Sequence, residues 1–211
     1  MRKIIFYSGA LFLILFLQTC ILFKKEIPKP VVVKLEEVPG FISITNNSGY
    51  PKYVVSFTEQ DYYNAFMKGF NGEGALTKNV TIDNSSSNPD YIIKFTKVEI
   101  IESDFAETIN NAKSAMNGQV VYLNKVEVSA SADCINAKTN KKIGMTCSNL
   151  KVKNEKLKNN RSAADLMFGT NKDKTVYREK GLRESIAKDL AEDVGRRIWV
   201  PISKRIKNDL K

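Results

Sequence analysis

The segment that decides the fold is residues 120–134, which read VVYLNKVEVSASADC. From Val126 to Cys134, apolar or small residues alternate with glutamate, serine and aspartate, so one side of the segment is apolar and the other is polar. A period of two is typical of a strand whose apolar face covers a core while its polar face meets water. The pattern predicts a half-buried antiparallel strand, then a turn at residues 137–142 and a returning strand over 143–152.

A first helix is predicted on the N-terminal side of this strand. Thr58 is a suitable N-cap, and acidic residues follow it in the first turn. Aromatic residues then recur every fourth residue at Tyr62, Phe66 and Phe70. This spacing gives the helix one apolar stripe, which we expect to face the core. The glycine-rich residues 69–74 are expected to end the helix.

A second, longer helix is predicted from about Glu179. Its apolar stripe consists of Leu182, Ile186, Leu190, Val194 and Ile198. Proline lacks the backbone N–H that a helix interior needs, so Pro201 is expected to kink or interrupt this helix, and a short terminal helix should follow. Ser162–Gly169 has the composition of one short helical turn.

Strands are expected at residues 41–45 and 53–57, and a long central strand at 91–101, with Ile93, Phe95 and Lys97 on one face. Residues 104–117 fit either a helix or a loop. The order of these elements predicts an α+β fold. We expect a two-layer sandwich in which a mainly antiparallel sheet carries the early helix and the long C-terminal helix on one face.

The first residues indicate export. Met1-Arg2-Lys3 precedes a segment without charge, residues 4–23, as in a secretory signal. The sequence Leu17-Gln18-Thr19-Cys20 at its end resembles a lipobox. The resemblance implies that a diacylglycerol is added to Cys20, that residues 1–19 are removed as a signal peptide, and that an acyl chain such as palmitate modifies the new N-terminus.

This reading divides the chain into the signal peptide, a lipidated tether at residues 20–40 that contains three prolines, and a single α+β domain at residues 41–211. It predicts a protein of the cell envelope, lipid-anchored in the outer membrane, with its domain on the periplasmic or the surface face. The alternative is that residues 4–23 stay uncut, because 20 apolar residues at about 1.5 Å each can cross a bilayer.

The composition argues against an enzyme. The 211 residues contain 33 Lys and Arg against 23 Asp and Glu, and no histidine, which is the commonest general base and nitrogen ligand of metals. No nucleophile elbow, Walker loop or dinucleotide-binding motif is present. The carboxylates Asp61, Asp104 and Glu107 show no paired spacing. We therefore expect a non-catalytic protein without a cofactor or metal, and no nucleic-acid partner.

The two remaining cysteines flank the predicted turn symmetrically. If Asn140 and Lys141 are the turn residues, Cys134 and Cys147 lie opposite each other in a non-hydrogen-bonded pair. A Cα separation of about 4.5–5.5 Å there suits a disulfide, and an oxidising compartment would favour it. The alternative is two buried free thiols, and a redox or metal role is the least favoured.

A basic stretch follows the turn and is opposed only by Glu155. Its members are Lys138, Lys141, Lys142, Lys151, Lys153, Lys156, Lys158 and Arg161. Lys151, Lys153, Lys156 and Lys158 are the candidate anion-binding residues, for anionic lipid head groups, lipopolysaccharide phosphates or sulfated glycans. The alternative is a solvated hairpin without a ligand.

The domain also resembles a known group of proteins. Pro89-Asp90-Tyr91-Ile92-Ile93 leads into a long meander that ends in an amphipathic helix. Over residues 50–210 this order resembles small α/β lipoproteins of Gram-negative envelopes, such as the LptE-like subunit of the lipopolysaccharide translocon. The resemblance implies a binding or assembly role with an envelope protein partner. The alternative is a surface-exposed lipoprotein that binds host or anionic extracellular molecules.

Overall fold

A long antiparallel ribbon forms the centre of the fold. The computed structural model describes residues 26–110, 116–159, 176–178 and 182–211. Strand β4 (Tyr91–Thr108) pairs along its whole length with β5 (Val120–Asn136). A bulge between Phe95 and Lys97 changes which residues of β4 point inward. Val98, Ile100 and Glu102 therefore point inward after the bulge, and the prediction that Lys97 shares a face with Ile93 and Phe95 is wrong.

Strands on both sides extend the ribbon into a mixed sheet. On the β4 side, β1 (Glu26–Glu37) runs parallel to the first half of β4, β2 (Ile42–Asn47) runs parallel to its second half, and β3 (Lys78–Ile82) runs parallel to β1. On the β5 side, β6 (Lys141–Lys142) and β7 (Cys147–Asn154) are antiparallel. A separate pair consists of β8 (Leu157–Asn159) and β9 (Val176–Arg178).

Two helices cover one face of this sheet. Helix α1 (Glu59–Ala75) begins with a capping box between Thr58 and Asp61, and α2 (Ile186–Asp209) packs beside it. Tyr62, Phe66 and Phe70 are fully buried, as predicted. The predicted α+β fold, with an early helix and a long C-terminal helix over one sheet face, is confirmed. The parallel pairing of β1, β2 and β3 makes the sheet less antiparallel than expected.

The two helices cross at a pair of glycines. A Cβ atom added at Gly69 would overlap the backbone carbonyl of Glu192, and one added at Gly195 would overlap that of Phe66. The expectation that residues 69–74 end the first helix is therefore wrong, because Gly69 lies inside α1 and allows close approach. Trp199 donates an indole hydrogen bond to Thr77 Oγ1 at 2.6 Å beside this crossing.

Pro201 does not end the second helix, which continues to Asp209. The residues on both sides of the proline are anchored in the core: Trp199, Ile202 and Ile206 are fully buried. Packing of this turn against the sheet and α1 offsets the loss of one backbone hydrogen bond at the proline. The predicted interruption at Pro201 is therefore wrong.

The domain begins earlier than predicted. Residues 26–37 of the expected tether form β1, in which Ile27, Val31 and Val33 are buried. Two of the three prolines that suggested a tether, Pro28 and Pro30, lie near the start of the strand, where its pairing is irregular between Glu26 and Val31, and Pro39 lies in the turn after it. The tether boundary at residue 40 is therefore wrong.

Residues 53–57 do not form the predicted strand. Tyr53 and Val54 are buried, but their backbone N–H groups bond to a carboxylate and not to a neighbouring strand. The first part of residues 104–117 is also neither helix nor loop, since β4 runs to Thr108. The predicted strand at 41–45 is confirmed as β2. The signal peptide, Cys20, the turn at 162–169 and Glu179 lie outside the described residues. Residues 182–185 are described and are not helical, so the second helix begins at Ile186, later than predicted.

Candidate binding surface

The face of the sheet opposite the helices carries no other layer in the described part of the chain. Its central positions are half-buried, and its edge positions on β7 are exposed. An open depression on this face is lined mainly by Glu99, Ile101, Glu127, Ser129, Ser131, Ser148 and Leu150. Small serine side chains leave room above the sheet, and isoleucine and leucine provide apolar contact area. We call this set the uncovered face.

Strand β7 borders the uncovered face. Leu150 lies opposite Ser129 and Val152 lies opposite Glu127, so both apolar side chains are on the side away from the helices. Leu150 is 57% exposed and Val152 is 40% exposed. In the described residues β7 pairs with β5 alone, so the outer row of backbone N–H and C=O groups on β7 has no partner strand among them. An edge of this kind can accept an additional strand.

The basic residues predicted as an anion site are divided among different environments. Lys151 is on the helix side of β7 and forms an ion pair with Asp193 of α2, at 3.5 Å. Lys153 and Lys156 are exposed, and the side chain of Lys158 lies outside the described residues. The structure thus describes three of the four predicted lysines and places Lys151 in a pair with a carboxylate.

Two other lysines of the basic stretch are also offset by acids. Lys138 pairs with Asp90 at 3.1 Å, and Lys142 pairs with Asp133 at 2.7 Å. Glu155, which was expected to be the one opposing acid, is 2% exposed and does not reach the lysine surface. The positive charge of this stretch is therefore reduced by acids distant in sequence.

Glu155 belongs to a buried polar cluster that the sequence did not predict. Glu102 accepts hydrogen bonds from the backbone N–H groups of Lys52, Tyr53 and Val54, at 2.9–3.2 Å. It also accepts one from the Asn124 side chain at 2.6 Å. A carboxylate with these donors is well suited to burial. The signal in the sequence is that Glu102 lies two residues after Ile100, so the two side chains share a face of the strand. Because the bulge near Phe95 was not predicted, that face was not recognised as the inward one.

Glu155 is the second carboxylate of this cluster, and it also attaches the loop of residues 48–54 to the ribbon. Glu155 accepts hydrogen bonds from the Tyr53 hydroxyl at 2.7 Å, the Asn124 backbone N–H at 2.9 Å and the Lys52 ammonium at 3.2 Å. Burial acts to raise the pKa of Glu155, but these donors together outweigh it, so its pKa lies below the ordinary value. The cluster fixes residues 48–54 onto the ribbon and is structural, since its polar groups bond to one another.

Two of the three carboxylates that showed no paired spacing, Asp61 and Asp104, are used in the same structural way. Asp61 accepts hydrogen bonds from Thr58 at the start of α1. Asp104 accepts them from the hydroxyl of Ser48 and the backbone N–H of Gly49. The described residues contain no group of three or more acidic or cysteine side chains placed to hold a metal ion.

Cys134 and Cys147 are free thiols, and the predicted disulfide is absent from the structure. The turn is longer than expected, because Asn136 pairs with Lys141, and residues 143–146 separate β6 from β7. Cys147 consequently lies opposite Ala132, and its predicted position opposite Cys134 is wrong. Both thiols are buried, and burial raises the pKa of Cys134 to about 12.

No protein-family model matches the sequence, and no curated protein matches it. Among solved structures, a "putative neuraminyllactose-binding hemagglutinin homolog" from Helicobacter pylori is 12% identical, with 86% of this chain and 87% of that chain covered and a TM-score of 0.45. A minor lipoprotein from Acinetobacter baumannii is 10% identical, with coverages of 85% and 96% and a TM-score of 0.33.

The hypothetical protein CT253 from Chlamydia trachomatis is 9% identical, with 84% of this chain and 98% of that chain covered and a TM-score of 0.33. At these identities and TM-scores, no ligand, partner or functional residue is transferred to this chain. Neither described helix combines the length and the apolar character needed to cross a bilayer.

Proposed function

We propose that this chain is a lipoprotein of the bacterial cell envelope, anchored through acylated Cys20, with a non-catalytic role in binding or assembling another envelope protein. The lipobox-like residues 17–20 support the anchor. The observation that carries the binding role is the uncovered face beside the edge of β7, where Leu150 and Val152 present apolar surface.

The form of this surface favours a protein partner over a small ligand. Small molecules usually bind in concave sites that bury most of their surface, whereas the depression on this sheet is open to solvent. A strand added beside β7 would bond to its outer backbone groups. Side chains of that strand could cover Leu150 and Val152 on one side and contact Lys153 on the other. Backbone pairing would provide affinity, and these alternating contacts would provide specificity.

The alternative role, binding of anionic host or extracellular molecules, depends on Lys153 and Lys156. Both are exposed, but Lys151, two residues before Lys153 on β7, is paired with a carboxylate, as is Lys142 at the other end of β5. This pairing favours the protein partner. Replacement of Lys153 and Lys156 by glutamine should leave retention on heparin nearly unchanged. A large loss of retention would favour the alternative.

The anchor is tested by the mass of the N-terminal peptide from membranes. We expect a peptide that begins at Cys20 and carries acyl chains, and Cys20→Ser should abolish both the acylation and the cleavage. An unmodified Cys20 in an uncut chain would contradict the lipoprotein and favour the membrane helix.

The docking surface is tested by a photo-crosslinking residue placed at position 152 in intact cells. We expect one dominant crosslinked protein, and we expect Leu150→Glu to reduce that crosslink because it places a charge on the contact surface. The matched control is Met145→Glu, because Met145 is also exposed and apolar but lies outside β7. Equal effects of the two substitutions, or no specific adduct at 152, would contradict the proposed surface.

A further inference from the structure

The short distance between the anchor and the fold restricts the orientation of the domain. Five residues separate Cys20 from Glu26, the first residue of β1. A fully extended chain spans at most 3.3–3.6 Å per residue, so Glu26 lies within about 20 Å of the acylated cysteine. The end of the domain that contains Glu26 must therefore be close to the membrane.

The surface around Glu26 is basic and partly apolar. A depression beside it is lined by Val200, Lys204 and Lys207 of α2 together with Thr77. Lys78 forms an ion pair with Glu26 at 2.8 Å, and its side chain is 60% exposed. We call the set Leu76, Lys78, Val200, Lys204 and Lys207 the anchor-side surface.

The anchor-side surface contains two apolar residues that are exposed to solvent, where they do not stabilise the fold. Leu76, which adjoins Thr77 in the chain, is 73% exposed, and Val200 is 46% exposed. Lysines that surround exposed aliphatic side chains are typical of surfaces that lie on lipid head groups. Glu26 is the one acid among the residues that line the depression.

We propose, on the basis of the anchor in the proposed function, that the anchor-side surface binds the anionic head groups of the membrane that holds Cys20. The end of the domain that contains Glu26 then lies against the membrane. Because β1 runs parallel to β4 with Val33 opposite Tyr91, Glu26 lies beyond the start of β4. The far end of the ribbon, at Thr108 and Val120, points away from the bilayer.

This orientation separates two basic regions that the sequence alone does not distinguish. The 18 residues of β4 extend about 55 Å at roughly 3.3 Å per residue. Lys153 lies opposite Val126, in the half of the ribbon remote from Glu26. Lys153 and Lys156 are therefore held away from the head groups, while Lys204 and Lys207 contact them.

The test uses the full-length acylated protein reconstituted into vesicles of phosphatidylcholine with or without phosphatidylglycerol. A fluorophore is attached to Lys204→Cys or, as the matched control, to Lys153→Cys. Head groups that carry a spin label then quench it by contact. We expect quenching at position 204 to be several-fold stronger than at 153 in anionic vesicles, and to decrease as salt is raised.

A second pair of variants tests the charge itself. Replacement of Lys78 and Lys207 by glutamine should reduce the quenching at 204 in anionic vesicles, and replacement of Lys151 and Lys156 should not. Equal quenching at 204 and 153 in protein that floats with the vesicles would overturn the anchor-side surface alone. Protein that does not float, with an unmodified Cys20 by mass, would overturn the anchor and this surface together.

Discussion

The two halves of the β4–β5 ribbon are stabilised in different ways. In the first half the inward side chains are apolar, and Phe95 contacts the rings of Phe41, Phe66 and Phe70 beneath the helices. In the second half the inward position is Glu102, and the covering element is the loop of residues 48–54. The comparison shows that a sheet can be covered without regular structure where carboxylates satisfy the N–H groups of the covering chain.

The largest loss of stability is expected from a substitution that creates a cavity in the first, apolar half of the ribbon. Phe95→Ala removes a fully buried ring that three other aromatic residues contact, and should lower the free energy of unfolding by about 4 kcal/mol in urea denaturation. Ile101→Ala is the control, because Ile101 is only half-buried on the uncovered face. Similar losses from both substitutions would show that the helix-covered half is not the main source of stability.

A smaller loss of stability is expected when one carboxylate oxygen of the polar cluster is replaced by an amide nitrogen. Glu102→Gln keeps the shape but turns a donor toward the N–H groups of residues 52–54, at a cost of about 2–3 kcal/mol. Hydrogen exchange at the Tyr53 and Val54 amides should become much faster. Glu99→Gln, on the uncovered face of the same strand, should change neither quantity. Unchanged exchange in Glu102→Gln would mean that the loop does not depend on this carboxylate.

The polar half should also respond to pH. The pKa of Glu155 is lowered in the folded state, so its contribution is present above the ordinary value of 4.5 and is lost as pH falls through the folded value. Glu155→Gln should therefore be less stable than the parent by about 2 kcal/mol at pH 7, and this difference should shrink below pH 4.5. The measurement is urea denaturation from pH 7 to pH 3, with Glu127→Gln as the control. A difference that stays constant over this range would contradict the assignment.

The smallest effect is expected from the partly exposed member of the cluster. The Lys52 side chain is 39% exposed and donates one of the hydrogen bonds that Glu155 accepts. Lys52→Met should cost about 0.5–1 kcal/mol, and Lys68→Met, which removes an exposed pair with Glu192, should cost less. A larger loss from Lys68→Met would show that the buried position of Glu155 adds nothing to the pair.

The first half of the ribbon could be predicted from sequence because its signals are local. The alternation around Val128 and the repeat of Tyr62, Phe66 and Phe70 each report one buried face of one element. The helix crossing could not be predicted, because Gly69 and Gly195 become meaningful only when the two helices meet. In the sequence, each glycine is simply a residue that weakens a helix.

The polar half of the ribbon and the candidate binding surface could not be predicted from the sequence, because both depend on pairings between distant segments. The bulge near Phe95 changed which face Glu102 occupies, and residues 143–146 moved Cys147 away from Cys134. Leu150 was placed on a returning strand, but its exposure depends on which neighbours that strand has. The partners of Lys151 and Glu155 could not be predicted from the sequence either, because contacts between residues far apart in the chain leave no periodic pattern.

The crossing of the helices also has a consequence for biosynthesis. Trp199 and Thr77, which bond beside the crossing, are separated by 122 residues of chain. The core beneath Phe95 therefore stays open to water until residues 186–209 have been synthesised. An exported chain must cross the membrane before it folds. If this chain is exported as proposed, a core that α2 closes would delay folding until late in synthesis and so keep the chain competent for translocation.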